Sequence, residues 1–174
     1  PMLYYSIKEA LKLSDDITVV LFHQAQRVQN EMEKYFSNIN FVIQDHANYP
    51  GTGGAVMGIT PKYEEVLVLN GDMPLIQAEE LKKFDLNATI VMSVLELESA
   101  DGYGRVIIEN GNVKKIVEQK DASEDELKIK TANAGIYQFE TKFLLENLPK
   151  LNNNNAQKEY YITDLVEMAI NQGK

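Results

Sequence analysis

Two stretches of this sequence combine residue types and spacing that suit work on a phosphorylated ligand. In Tyr49-Pro50-Gly51-Thr52-Gly53-Gly54-Ala55, a run rich in glycine precedes a predicted short helix from Ala55 to Ile59. Glycine lets a backbone approach a ligand closely, and the amides at a helix start offer donors to an anion. A dinucleotide fingerprint needs a third glycine where Val56 stands, so that use is rejected, and a plain surface turn is the competing reading. In Leu69-Asn70-Gly71-Asp72-Met73-Pro74-Leu75, an apolar run stops at a glycine and presents a carboxylate. At the carboxyl end of a strand in an open α/β sheet, Asp72 would stand where ligands bind and where a hard cation such as Mg2+ is held. The rival reading has Asp72 capping the helix that follows.

Other combinations are weaker. Gly102-Tyr103-Gly104-Arg105, Val117-Glu118-Gln119-Lys120-Asp121 and Asn133-Ala134-Gly135 each read first as structure: glycine beside a strand, an acid at a strand end, a lone asparagine. Taken together, neutral donors and one carboxylate suit a sugar bearing several hydroxyls and an amide. Arg105 reads as a solvated strand residue rather than a phosphate clamp. His23 and His46 lie far apart with no thiolate near either, which argues against catalytic zinc, and no G-x-S-x-G elbow supports a serine hydrolase.

The elements that must position these residues follow from periodicity. Met2, Leu3, Ile7, Ala10 and Leu11 predict an opening helix, and Ile17 to Phe22 a buried strand. A helix over roughly 24–36 leads into a strand at Phe41-Val42-Ile43, and Val66 to Leu69 repeats the buried-strand pattern. Such alternation predicts βαβ units and a parallel sheet covered by helices. Later, Thr89 to Leu97 and Arg105 to Glu118 read as strands, with Asn110-Gly111 as a hairpin turn. A last helix is expected from Tyr161 to Asn171, with Thr163 and Asp164 as cap residues. The whole reads as one α/β domain with an antiparallel excursion. Doubly wound domains begin on a central strand whose following loop binds phosphate, so a helix as the first element suggests that an amino-terminal unit is missing.

Composition narrows the function. The 174 residues are 44% hydrophobic and 25% charged, which fits one globular domain. No apolar run approaches a membrane span and no secretory signal opens the chain, so a soluble cytoplasmic protein is expected. The absence of cysteine excludes disulfides and thiolate sites. With a net charge of −9 and two arginines, Arg27 and Arg105, among 17 basic residues, no basic stripe is available to follow nucleic acid. Triphosphate chemistry would need cations that this stretch supplies sparingly, hence metal ions or residues outside it.

In this order the motifs resemble the uridylyltransferase half of the bacterial bifunctional N-acetylglucosamine-1-phosphate uridylyltransferase/glucosamine-1-phosphate acetyltransferase family. The likeness runs from Pro1-Met2 through Asn153-Asn154-Asn155-Ala156-Gln157 and Glu159-Tyr160-Tyr161-Ile162-Thr163-Asp164. It implies a Rossmann-like nucleotidyltransferase fold, mainly a parallel sheet with an antiparallel excursion, and Mg2+-dependent synthesis of UDP-N-acetylglucosamine and pyrophosphate from UTP and N-acetylglucosamine 1-phosphate for the cell wall. It further implies that Gln44, Gly51 and Thr52 read the uracil edge, that Asp72, next to the substrate-side Gly71, is the catalytic metal ligand, and that Gly104, Glu118 and Asn133 contact the sugar. Tyr103, Lys120 and Thr163 fall in matching stretches lining the same pocket.

The same resemblance implies that residues 1–174 form a partial domain. The family's G-x-G-T-R-M phosphate loop with its Pro-Lys pair would precede it, and an asparagine metal ligand and a left-handed β-helix acetyltransferase domain, which carries the homotrimer, would follow. Asn70, Ala134 and Lys158, the last where glycine is usual, depart from the pattern. Two alternatives stay open: a pyrophosphorylase for another sugar or alcohol phosphate, and a non-catalytic nucleotide-binding module.

Overall fold

The structure, a computed structural model, describes residues 1–84 and 87–174. Helix α1 (Met2–Ala10) is followed by β1 (Thr18–Leu21), α2 (Ala25–Met32) and β2 (Asn40–Ile43). β1 and β2 pair in parallel, Thr18 opposite Asn40 through Leu21 opposite Ile43. This is the expected strand-helix-strand unit. Ile7, Val19, Leu21 and Met32 form its small core, with Leu3, Tyr4, Val28 and Phe36 packed around them.

The short α3 (Thr52–Val56) leads to β3 (Glu65–Val68) and α4 (Ala78–Leu81), and then to β4 (Ile90–Glu96). β5 (Arg105–Glu109) and β6 (Asn112–Val117) make a hairpin, and β7 (Thr131–Glu140) passes into α5 (Thr141–Asn147). The chain closes on α6 (Asp164–Asn171). Asn110 and Gly111 have φ of 52° and 79°, the left-handed pair that a tight two-residue hairpin turn requires.

The balance of strand pairings differs from the expectation of a mainly parallel sheet. Among the described residues the parallel ladder is confined to β1 and β2, while β3, β4, β5, β6 and β7 form a second sheet with antiparallel pairings throughout. An unbroken apolar run reports burial on both faces and is silent on direction, so Val66–Leu69 fitted either pairing. The strand that decides the matter, β7, is the longest, and the sequence pattern did not reveal it. Its first half, Thr131-Ala132-Asn133-Ala134-Gly135, lacks alternation, and Gly135 (φ 74°) marks an irregularity opposite the bulge between Met92 and Val94.

The main core lies between this second sheet and α5 and α6. Val106, Tyr137, Phe139, Phe143, Leu144 and Leu165 are buried there, with Tyr137 and Phe139 stacked at 5.6 Å. No helix among the described residues is long and apolar enough to cross a membrane.

Candidate active site

A cavity of about 1750 Å³ opens between the two sheets. Thr52, Gly71, Gly104, Glu118 and Asn133 line it together with Tyr103, Thr163 and Tyr137. The structure therefore gathers residues that are distant in sequence and that the motif reading had named separately. Gln44, Gly51 and Asp72 are not among the lining residues: Gln44 is hydrogen-bonded to Gly51, which precedes Thr52, and the exposed Asp72 follows Gly71.

The glycine-rich turn is more than surface punctuation. Gly53 and Gly54 are buried, and a Cβ on Gly54 would run into the carbonyl of Tyr49. Gly51, at φ 92°, would bring a Cβ to 2.7 Å from Cβ of Glu159 and 2.8 Å from the Tyr160 oxygen. The close approach is sealed by hydrogen bonds. Gly53 N–H donates to Tyr160 O at 2.7 Å, Tyr160 N–H to Pro50 O at 2.8 Å, and Ile162 N–H to Thr52 Oγ1 at 3.1 Å.

Gln44 stands just past the end of β2. Its Nε2 donates to the carbonyls of Tyr49 (2.9 Å) and Gly51 (3.0 Å). Two carbonyl acceptors fix which end of the amide is nitrogen and consume both of its protons, so Oε1 is left to accept from a ligand.

Asp72 follows β3 and is exposed. It does not cap the next helix, because α4 begins at Ala78, whose N–H is accepted by Glu9 Oε2 at 2.9 Å. α1 positions the Asp72 loop in two further ways: Ser6 Oγ donates to Met73 O at 3.2 Å, and Leu3 packs against Gly71. Ser6 is 4% exposed, a buried hydroxyl on an otherwise apolar face, which is the signal that would have marked it in the sequence. No group of three acidic or imidazole side chains able to enclose a metal forms among the described residues. One exposed carboxylate nevertheless fits Mg2+, which keeps several waters and takes further ligands from phosphate oxygens.

On the opposite wall, Glu118 lies just past β6 with its carboxylate oxygens 3.3 and 3.4 Å from where a Cβ on Gly104 would sit. A Cβ there would be tight against Glu118 and Ile116. Burial pushes the Glu118 carboxyl upward, opposed by the hydrogen bond from Thr163 Oγ1 at 3.0 Å. Thr163 occupies the N-cap position of α6 as expected, yet its hydroxyl serves Glu118 instead of the helix. Asn133 accepts from Gly135 N–H through Oδ1 at 3.0 Å, leaving its NH2 to donate. Beside them, Asp121 accepts from Ala156 N–H (2.8 Å) and Tyr161 Oη–H (3.2 Å), which docks the Asn152–Asn155 stretch against the site. Burial raises Tyr161 to about 12 and Asp164 to about 6, the latter with help from Glu167, Glu118 and Asp121.

Arg105 corrects the sequence reading. It is fully buried rather than solvated, and it faces the Gly102–Gly104 loop.

Residues 1–174 match the family described as Nucleotidyl transferase. The chain is 91% identical over 174 residues to "Bifunctional protein GlmU" of Aliarcobacter butzleri (strain RM4018), covering all of this chain and 40% of that protein. It is 62% identical over 169 residues to the protein of the same name from Wolinella succinogenes, covering 97% and 39%. The chain thus spans about 40% of the length of these curated relatives. Among solved structures, it resembles the inositol-1-phosphate CTP transferase from T. maritima (TM-score 0.73, 12% identity, 99% of this chain and 69% of that one). It also resembles UDP-glucose pyrophosphorylase complexed with UDP-glucose (TM-score 0.69, 16% identity, 99% and 75%). At such identities these likenesses establish the fold.

Proposed function

Because this chain belongs to the nucleotidyl transferase family, we propose that its site transfers a uridylyl group from UTP to N-acetylglucosamine 1-phosphate, giving UDP-N-acetylglucosamine and pyrophosphate. The observation that carries this reading is the convergence on one cavity of Thr52 from the glycine turn, Gly71 beside Asp72, and the Gly104, Glu118 and Asn133 set.

In the proposed reaction a phosphate oxygen of the sugar 1-phosphate attacks the α-phosphorus of UTP in line. A new P–O bond forms as the bond to the β-phosphate breaks, and no side chain becomes covalently attached. Gln44 Oε1 meets the imide N–H of uracil, a donor that cytosine lacks at the same ring position. Gly51 and Thr52 keep the loop close enough for the base to be read by backbone. Asn133 NH2 and the Gly104 N–H donate to the sugar, and the Glu118 carboxylate accepts from its hydroxyls or its amide. Mg2+, held by Asp72, would supply charge neutralisation on the phosphates.

The slot between the sheets supports reading residues 1–174 as part of a larger uridylyltransferase domain. Among the described residues β1 pairs only with β2 and β3 only with β7, and residues of both strands line the cavity together with residues of α1 and α3. Such a space suits one more strand, the one that would carry the phosphate-binding loop. In this reading the chain's relatives continue into a β-helix acetyltransferase that acetylates glucosamine 1-phosphate and assembles the trimer, and the reaction takes place in the cytoplasm.

Two measurements test the proposal. Asp72→Asn in the full-length protein is expected to abolish most turnover while UDP-N-acetylglucosamine affinity changes far less; undiminished turnover would remove Asp72 from the mechanism. Calorimetry should show UDP-N-acetylglucosamine binding clearly better than UDP-glucose, whereas equal binding would favour another sugar phosphate as substrate.

A further inference from the structure

We infer that Arg105 is a positioning residue for the sugar half of the site, acting through the Tyr103–Gly104 peptide. The inference rests on the reading of Gly104, Glu118 and Asn133 as the sugar-side contacts. Arg105 opens β5 and is 0% exposed. A guanidinium fully out of water is costly unless its donors are used. Here Nη1 donates to the Tyr103 carbonyl and, at 3.1 Å, to Gln119 Oε1, and Nη2 to the Leu127 carbonyl at 3.5 Å. Among the described residues its carboxylate partner is Asp101, 3.7 Å away and 87% exposed, so the ion pair reaches into solvent and neutralises the buried charge weakly. Nε has no partner among the described residues. This arrangement is poor as a stabilising ion pair and good as a brace.

What it braces is specific. Gln119 Oε1 accepts from Gly102 N–H as well as from Arg105, so one guanidinium and one amide stitch the 101–104 loop to the residue after Glu118. In a planar trans peptide the C=O and the following N–H point in opposite directions. With the Tyr103 C=O turned onto Arg105, the Gly104 N–H faces the other way, and it donates to no group among the described residues. The Gly104 carbonyl accepts from Asn133 N–H at 2.9 Å, and the Glu118 carboxylate lies against Gly104. All three sugar-side residues are therefore one peptide from the brace. Lysine at 105 could supply charge but not two nitrogens in one rigid plane, the one reaching Tyr103 and Gln119 and the other Leu127.

The test compares two ligands on the full-length protein, UMP for the uridine half and UDP-N-acetylglucosamine for the whole, in R105K, R105M, Q119L and Q119E. R105M is expected to bind UDP-N-acetylglucosamine at least about tenfold more weakly, with UMP affinity within about twofold of wild type. R105K should fall between. Q119L, which removes the shared acceptor and keeps the cation, should show the same split, and Q119E, which restores an acceptor, should recover it. Should R105M fail to fold, the Q119L and Q119E pair carries the same outcomes. Variants that keep the wild-type ratio, or that lose both ligands equally, overturn the inference and leave Arg105 a purely structural residue. A wild-type protein that binds UMP and UDP-N-acetylglucosamine alike overturns the sugar-site reading beneath it, and the inference with it.

Discussion

Replacing Asp164 by asparagine should stabilise this protein at neutral pH and leave it unchanged in acid. Asp164 begins α6, and its carboxyl is raised from its ordinary 3.8 to about 6, chiefly by burial and then by Glu167, Glu118 and Asp121. A displacement of that size corresponds to about 3 kcal/mol against the ionised form in the fold. Two corrections reduce it. The side chain keeps partial contact with water, which screens its neighbours. The first turn of a helix also favours an anion by about 0.5 kcal/mol. About 1 to 1.5 kcal/mol remains, or about 3–5 °C in Tm for a chain of this size. Because the folded pKa lies above the unfolded one, the contribution of the protonated carboxyl is complete below about 3.8 and is lost as pH rises through about 6. Denaturant unfolding of wild type and Asp164→Asn at pH 3, 5.5 and 7.5 reads this out. The two should coincide at the lowest pH and separate by the full amount at the highest. A constant difference at all three, or an asparagine variant that is weaker at pH 7.5, would refute the electrostatic reasoning.

Three further outcomes follow from particular contacts. Gly54→Ala should cost about 2–3 kcal/mol, because the added methyl meets the Tyr49 carbonyl within a buried turn, and thermal unfolding measures it. Lys158 sits at φ 58°, so Lys158→Gly should be more stable than Lys158→Ala by about 1 kcal/mol, and equal stabilities would show that the left-handed conformation is not maintained. Thr163→Val removes the one hydroxyl bonded to Glu118, so the Glu118 carboxyl should titrate higher than in wild type when followed by NMR.

The elements that were legible are those whose code is local. The spacing of Ile7 and Ala10 gave α1, the run at 18–21 gave β1, and Asn110-Gly111 specified a turn that only left-handed residues can make. In the candidate site the residue type was legible where backbone conformation forces it, as at Gly51 with its φ of 92°. Three features were hidden, each depending on a long-range partner. β7 carries polar residues that pair with strands far away in sequence. Arg105 looks like any strand cation until Gln119 and Leu127 are brought beside it. Thr163 reads as a cap until Glu118, 45 residues earlier, takes its hydroxyl. Family resemblance picked out Asn133 and Thr163 without explaining them and passed over Arg105, since it transfers positions and not contacts.

Among the described residues the two sheets share no ladder, and each has its own core. The hydrogen bonds between them include those of Ser6 and Glu9 on α1 to the segment from Met73 to Ala78, of Gln44 to the Tyr49–Gly51 loop, and of Asp15 and Asp16 to Lys62 and Tyr63. These are a few hydrogen bonds, worth about 1 kcal/mol each. The β1-α2-β2 unit is therefore expected to behave as a separate foldon that opens before β7 and its neighbours. Calorimetric and van't Hoff enthalpies should disagree for this chain, and amides of β1 and β2 should exchange well before those of β7. A nucleotide whose base rests on Gln44, Gly51 and Thr52 and whose sugar rests on Gly104 would touch both units at once, so ligand would turn two loosely joined melting transitions into one.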